Sequence, residues 1–429
     1  MSTNRNLNLV LFFSFVYFIS CYAISISWYY NGYFYFDVYN IFFDTDPNKN
    51  LSSFAHGRGM HAVSHAFLEL FSVTIRIIEF AFSSLSTISN RLEFRELFAL
   101  AISPIFSALT IVCFYKILMQ LKIKTIDANI FTLIFSASFS NVIFAIIPET
   151  YAISCFLIAL LVHYYLRSGQ MKQSGSPLAW FIIAILLTGI TITNIGIFFL
   201  IFSAHLLKNE KFDYYNTFKK ASLYSISAVL LVFIYYKMSH FLFSAITGID
   251  IKMGGGGGID WIAKYVTTSL YKAGINIINL FSASINAFLA ASPKTIAPYI
   301  FYMREDADFV SSEVWYNLLS FTRYKADYLW LSSVAILCSA FAYASKEHLK
   351  EKRWHDLYLI SGLIIVFNFS LHVLFGREMF MYTQHWIIPL CLILVPVLSG
   401  RRALSITFLL LLVGVNLQFL FNVEQLVTK

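Results

Sequence analysis

"NLVLFFSFVYFISCYAISISWY", residues 8–29, contains no charged side chain, and its reading decides the fold. A helix of about 20 apolar residues crosses the hydrocarbon of a bilayer, where the chain must satisfy its own backbone groups. The stretch therefore predicts a membrane-spanning helix. Similar runs recur near 97–119, 126–147, 151–167, 178–192, 194–207, 221–243, 327–345, 356–375, 384–399 and 403–422. The 429 residues are 58% hydrophobic, 18% aromatic and 13% charged, with a mean hydropathy of +0.69. Soluble domains carry about a quarter charged residues. The expectation is one integral membrane domain over residues 1–429, an all-α bundle of about eleven spans.

The basic residues assign sidedness. Arg5; Lys116, Lys122 and Lys124; Arg167 and Lys172; Lys208, Lys211, Lys219 and Lys220; Lys346, Lys350, Lys352 and Arg353; and Arg401 and Arg402 occupy every second junction. Positive clusters favour the cytoplasmic side, which predicts an N-terminus inside and a C-terminal tail outside. The net charge of +8 thus reads as topology and not as a nucleic-acid face. Two long segments, 30–96 and 245–326, then fall outside. Within the first, "HAFLELFSVTIRIIEFAFSSL" (65–85) suits a helix lying along the interface. In the second, 260–290 suits another interfacial helix or a membrane hairpin. Cys21, Cys113, Cys155, Cys338 and Cys391 lie in or beside apolar runs without a CxxC pair and read as small buried hydrophobes. "FISC" ending at Cys21 has some likeness to a lipoprotein cleavage box, but the segment reads as an uncleaved span.

Polar groups on the external side are the candidates for chemistry. "YFDVYNIFFDTDPNKN" (35–50) brings Asp37, Asp44 and Asp46 together just after the first span. Neighbouring carboxylates raise one another's pKa, which suits a general base or a cation site, while "DTDPN" equally suits a solvated turn. "HGRGMHAVSH" (56–65) places His61 and His65 four apart, a zinc-compatible helical spacing with His56 or a carboxylate. The same residues with Arg58 make a cationic edge for a lipid phosphate. "IIPETYA" puts Glu149 at a span end before Tyr151, where it either faces an aqueous cavity or complements a helix N-terminus. "GITITN" ends on Asn194, a cap or a cavity-lining amide. "FGREMFMYTQHW" supplies Arg377, Glu378, Tyr382, Gln384, His385 and Trp386, with Arg377 suited to clamp a phosphate or to pair with Glu378. The five glycines 254–258 lack a P-loop ending and read as a spacer.

Taken in order, these segments resemble the GT-C superfamily of membrane glycosyltransferases. The likeness is to the bacterial, polyprenyl-phosphate-sugar-dependent branch of the dolichyl-phosphate-mannose mannosyltransferase-like group. Asp37 and Asp44 have that branch's seven-residue separation; "DTDPN", the His/Arg segment, "PETY" (148–151) and "TN" (193–194) follow in its order. One departure is Ala66 after His65, where the family has proline. The resemblance covers mainly residues 30–200 and 375–389. It implies a GT-C-like bundle with amphipathic helices on the external face, and transfer of a sugar, with inversion, from a polyprenyl phosphate to a cell-envelope glycan, lipid or protein. It implies a catalytic cluster of Asp37, Asp44 and Asp46, in which Asp37 or Asp44 is the base, with Asp37 favoured and the other shaping the site, while Asp46 reads as a turn residue. Substrate binding then falls to Arg58, His61, His65, Glu149, Tyr151, Asn194, Arg377, Glu378, Tyr382 and His385. No cofactor is required and no metal site is predicted, although a divalent metal stays open. The place implied is a bacterial inner membrane, with the site facing the periplasm or exterior. An O-antigen polymerase, or a transporter or flippase of lipid-linked saccharides, is the alternative; the early acidic cluster speaks against the first and the absence of visible repeats against the second.

Overall fold

A computed structural model of the chain describes residues 2–34, 42–43, 45–57, 65–83, 91–170, 175–209, 213–247, 270–302, 313–325, 335, 339, 354–375 and 379–427. Helices dominate. α1 (Ser2–Tyr30) leads to three short helices, α2 (Pro47–His56), α3 (Glu69–Ser83) and α4 (Arg91–Leu100). The bundle continues with α5 (Ile102–Gln120), α6 (Thr125–Ala137), α7 (Phe139–Ile146), α8 (Thr150–Gln170), α9 (Pro177–Ile190), α10 (Asn194–Asn209) and α11 (Tyr214–Thr247). α12 (Leu270–Asn286), α13 (His355–Leu374), a 3-10 helix (Met379–His385), α14 (Ile387–Leu398) and α15 (Arg402–Val427) complete it.

By length and composition, six helices among the described residues can cross a membrane, or up to eight if each of two bent pairs is one span. Phe12 and Phe15 of α1, Ile226 and Leu230 of α11, and Leu410 and Leu417 of α15 are exposed. Apolar surface on this scale fits a lipid solvent and not water. The expected span 126–147 is broken: α6 and α7 meet at 55°, and the 3-10 helix meets α14 at 66°. The expected span 327–345 lies almost wholly outside the described residues.

Breaking a helix inside a membrane frees backbone groups that lipid cannot satisfy. Ser138, extended at the α6–α7 break, donates its hydroxyl to Phe135 O at 2.6 Å. The first amides of α7 are taken up by the chain that follows α12: Phe139 N–H donates to Phe288 O at 3.0 Å and Ser140 N–H to Ala287 O at 2.8 Å. Asn416 of α15 closes the arrangement. Its Nδ2 donates to Ala137 O at 2.7 Å and Phe288 O at 2.8 Å, and its Oδ1 accepts from Ala290 N at 3.0 Å. Several of the backbone groups at the break are thus met by groups far apart in sequence.

The short helices after α1 form a platform joined by charge. Buried Glu79 of α3 pairs with Arg95 of α4 at 2.7 Å, with Arg91 at 3.9 Å. Arg76 donates to His56 O at 3.0 Å, and His56 meets Glu96 at 3.3 Å. Tyr29 and Tyr30 at the end of α1 donate to Glu96 and Glu93. α3 turns Val73, Ile77 and Phe80 outward, as an interfacial helix does. In the second long segment, α12 packs on α13 and the 3-10 helix. There the chain also forms an antiparallel ribbon of β1 (Ser292–Tyr302) and β2 (Glu313–Lys325), with Ser292 opposite Lys325 and Tyr302 opposite Glu313. Both strands are rich in β-branched and aromatic residues, which favour extended pairing. The four described cysteines, Cys21, Cys113, Cys155 and Cys391, are free and buried.

Two of the basic clusters meet carboxylates at the other end of the bundle: Arg402 Nε lies 3.0 Å from Asp127, and Lys208 pairs with Asp356.

Candidate functional site

The site is built around the start of α8. Pro148 cannot continue α7, so the chain turns there and offers Glu149 to the interior. Ser103, in the first turn of α5, brackets the turn: its Oγ accepts from Glu149 N at 3.1 Å and donates to Glu149 O at 3.3 Å. The Glu149 side chain, 3% exposed, takes two backbone amides. Oε1 accepts from Asp46 N at 2.6 Å, and Oε2 accepts from Thr150 N at 3.0 Å. Burial is the main cause that raises the Glu149 carboxyl to about 8, with the Asp46 charge adding to it. The two amides and Lys49 act in the opposite sense. At neutral pH the group is therefore mostly protonated.

Asp46 precedes α2, and its own carboxylate is half exposed beside Lys49 at 3.9 Å. Its backbone amide bonds Glu149, and its charge acts on the same carboxyl. His65 docks on the end of α9: its Nδ1 lies 2.7 Å from Ile190 O, while Phe67 N–H donates to Gly189 O at 2.9 Å. Two of the carbonyls left over at the α9 C-terminus are satisfied in this way. Burial pushes the His65 imidazole down from its usual value. Phe67 lies so close to Gly189 that a Cβ there would be 2.1 Å from its ring. In the next turn Asn194 Nδ2 donates to Ser154 Oγ at 3.3 Å, and Ser154 meets Thr191 at 3.1 Å.

Tyr151 carries the site to the late segment. Its ring packs edge-on against Tyr382 at 6.1 Å and His385 at 5.7 Å. Tyr382 stacks on His372 of α13 at 3.8 Å. Within the stretch expected to be an external turn, Met379–His385 is a largely buried 3-10 helix, anchored where Gln384 Nε2 donates to Ser140 Oγ at 2.8 Å and Thr383 meets the same hydroxyl at 2.6 Å. Gln384 Oε1, both ring nitrogens of His385 and Trp386 Nε1 are buried without a hydrogen-bond partner among the described residues. Uncharged polar capacity thus faces the interior of this end.

Of the residues singled out from sequence, Asp46, His65, Glu149, Tyr151, Asn194, Tyr382 and His385 gather at one end of the bundle. Asp37, Asp44, Arg58, His61, Arg377 and Glu378 lie outside the described residues. Among the described residues no three His, Cys, Asp or Glu side chains are grouped to hold a metal ion. Sequence reasoning missed Ser103 and Ser140. Their only signal was a hydroxyl at a span start before proline and another just after a break.

This fold defines a multi-pass helical membrane protein with a cluster of buried polar groups at one end. No protein-family model matches the chain, and no curated protein matches it significantly.

Proposed function

We propose that the protein is a GT-C-like glycosyltransferase of a bacterial inner membrane. It has eleven spans with the N-terminus inside, and it moves a sugar from a polyprenyl phosphate to an envelope acceptor on the external side. What supports this reading is one convergence: the end of the acidic stretch, the "PETY" turn and the "TN" turn meet at one end of the bundle, beside the late Tyr382–His385 segment. Those are the segments that carry the resemblance; the Asp46–Glu149 contact joins residues 103 apart in the chain and the Asn194–Ser154 contact residues 40 apart.

In this mechanism the acceptor oxygen attacks the anomeric carbon as the bond from that carbon to the phosphate oxygen breaks. The acceptor proton passes to a carboxylate of the acidic stretch, Asp37 or Asp44. The polyprenyl phosphate leaves as a dianion, and Arg377 meets its charge with a bidentate fork. The buried amides, hydroxyls and imidazoles of the described cluster suit the sugar's hydroxyls better than the phosphate.

The test is transfer from radiolabelled polyprenyl-phosphate sugars by membranes holding the protein. Asp37→Asn and Asp44→Asn are compared with Asp46→Asn after membrane insertion is checked. Loss of the base lowers the rate by about 10²–10⁴, whereas Asp46→Asn, whose contribution is through the backbone, stays near the unmodified rate. Equal rates in all three variants exclude the assignment.

A further inference from the structure

Among the described residues Glu149 is the one carboxyl buried in this cluster, and it invites a catalytic role. Its contacts argue for a different one. Both oxygens are already engaged by backbone amides, one of them from a segment 103 residues away, and the side chain is 3% exposed. A general base needs an ionised oxygen within reach of a substrate hydroxyl. A group raised to about 8 by burial and closed off by two N–H donors does not meet that need. What it does accomplish is mechanical. Asp46 stands at the N-cap position of α2, where its side chain makes no capping bond, and its amide at the helix entry finds its acceptor in Glu149. The carboxyl is itself held rigidly, because Ser103 ties both the N–H and the C=O of Glu149 to α5.

We propose that Glu149 is a positioning residue that fixes where the acidic stretch enters α2, acting through the Asp46 amide and not through contact with substrate. The proposal rests on the glycosyltransferase reading for the consequence of that positioning, but not for the positioning itself. Glutamine in place of Glu149 keeps an acceptor oxygen for Asp46, and alanine keeps none.

Two measurements on the full-length protein in lipid nanodiscs separate the roles. In sugar transfer, Glu149→Gln retains kcat within about threefold, while Glu149→Ala loses about 10–100-fold in kcat with the donor KM unchanged. A base would make Gln as damaging as Ala, and a substrate contact would raise KM. Either result overturns the proposal. In hydrogen exchange read by mass spectrometry, peptides covering residues 45–57 exchange at least about tenfold faster in Glu149→Ala and near the unmodified rate in Glu149→Gln. Unchanged exchange in the alanine variant also overturns it. Exchange as predicted, with no sugar transfer by the unmodified protein, sinks the glycosyltransferase reading and leaves the positioning role standing. If Glu149→Ala does not insert, Ser103→Ala replaces it: the carboxyl loses its backbone bracket, and exchange over 45–57 rises by a smaller factor.

Discussion

Asn416 lies across the break between α6 and α7, with its Nδ2 2.7 Å from Ala137 O and 2.8 Å from Phe288 O. One amide from the last helix thereby serves two carbonyls from segments 279 and 128 residues away. Replacing it with leucine fills the space but strands these groups and the Ala290 N–H. Each buried polar group left unpaired costs about 1–3 kcal/mol. Asn416→Leu is expected to lower Tm by several degrees in detergent, and Asn416→Asp, which turns a carboxylate oxygen toward two carbonyls, should lower it at least as much. Tryptophan fluorescence during a thermal ramp measures both.

Gly189 packs under Phe67, and Gly196 packs under Phe367 with a Cβ position 2.2 Å from that ring. These two glycines flank the connection from α9 to α10. Gly189→Ala pushes Phe67 away and with it the His65 contact to Ile190 O. Overpacking of this kind costs about 1–3 kcal/mol. Trimming the ring in the double variant Gly189→Ala, Phe67→Leu should restore most of the lost Tm. A double variant no better than Gly189→Ala would show that the ring is not the obstacle.

Stability should depend on pH through Glu149. A carboxyl at 4.5 when unfolded and about 8 when folded binds its proton more tightly in the folded state. Its contribution is full below about 4.5, declines as pH rises through the interval to about 8, and is level above it. Asp46 and Lys49 face the group from α2 and act in opposite senses. Glu149→Gln cannot ionise. The expected result is a Tm that falls from pH 5 to 8 in the unmodified protein and a flatter profile in the variant. Parallel profiles would remove Glu149 as the source.

Trp386 has a fully buried indole whose N–H is unpaired among the described residues. Replacing it by phenylalanine keeps an aromatic ring against Phe369 and His372 while deleting the donor. Removing an unsatisfied donor is close to neutral or stabilising. Trp386→Phe should therefore hold or raise Tm without sugar substrate, while weakening sugar transfer by about tenfold if the donor serves a substrate hydroxyl. A marked fall in Tm would show that the N–H is satisfied in the folded protein.

The helical bundle was legible in the sequence because a bilayer leaves the backbone few choices. An apolar run long enough to cross must close its hydrogen bonds within itself, so composition and length suffice for α1, α5, α8, α11, α13 and α15. Of the short helices after α1, only α3 was legible: its charges among apolar residues suit an amphipathic helix, whereas α2 and α4 gave no such signal. The acidic stretch, the "PETY" turn and the "TN" turn stood out because carboxylates and amides are costly at span ends.

Their meeting was not legible. Nothing local in "DTDPN" points to Glu149, since the bond uses the Asp46 amide, a group every residue except proline carries. The same holds for His65 on Ile190 O and for Asn416 on Ala137 O, where side chains answer backbone groups freed by helix ends and breaks elsewhere. "MFMYTQHW" (379–386) read as part of an external turn because it falls between two apolar runs on the side without basic clusters; in the fold the Ser140 hydroxyl meets Thr383 and accepts from Gln384 Nε2, which helps the segment to be buried. Apolar length is a property of a segment and survives in a one-dimensional reading. Hydrogen-bond pairing between segments depends on which ends the tertiary packing brings together, and only the folded bundle decides that.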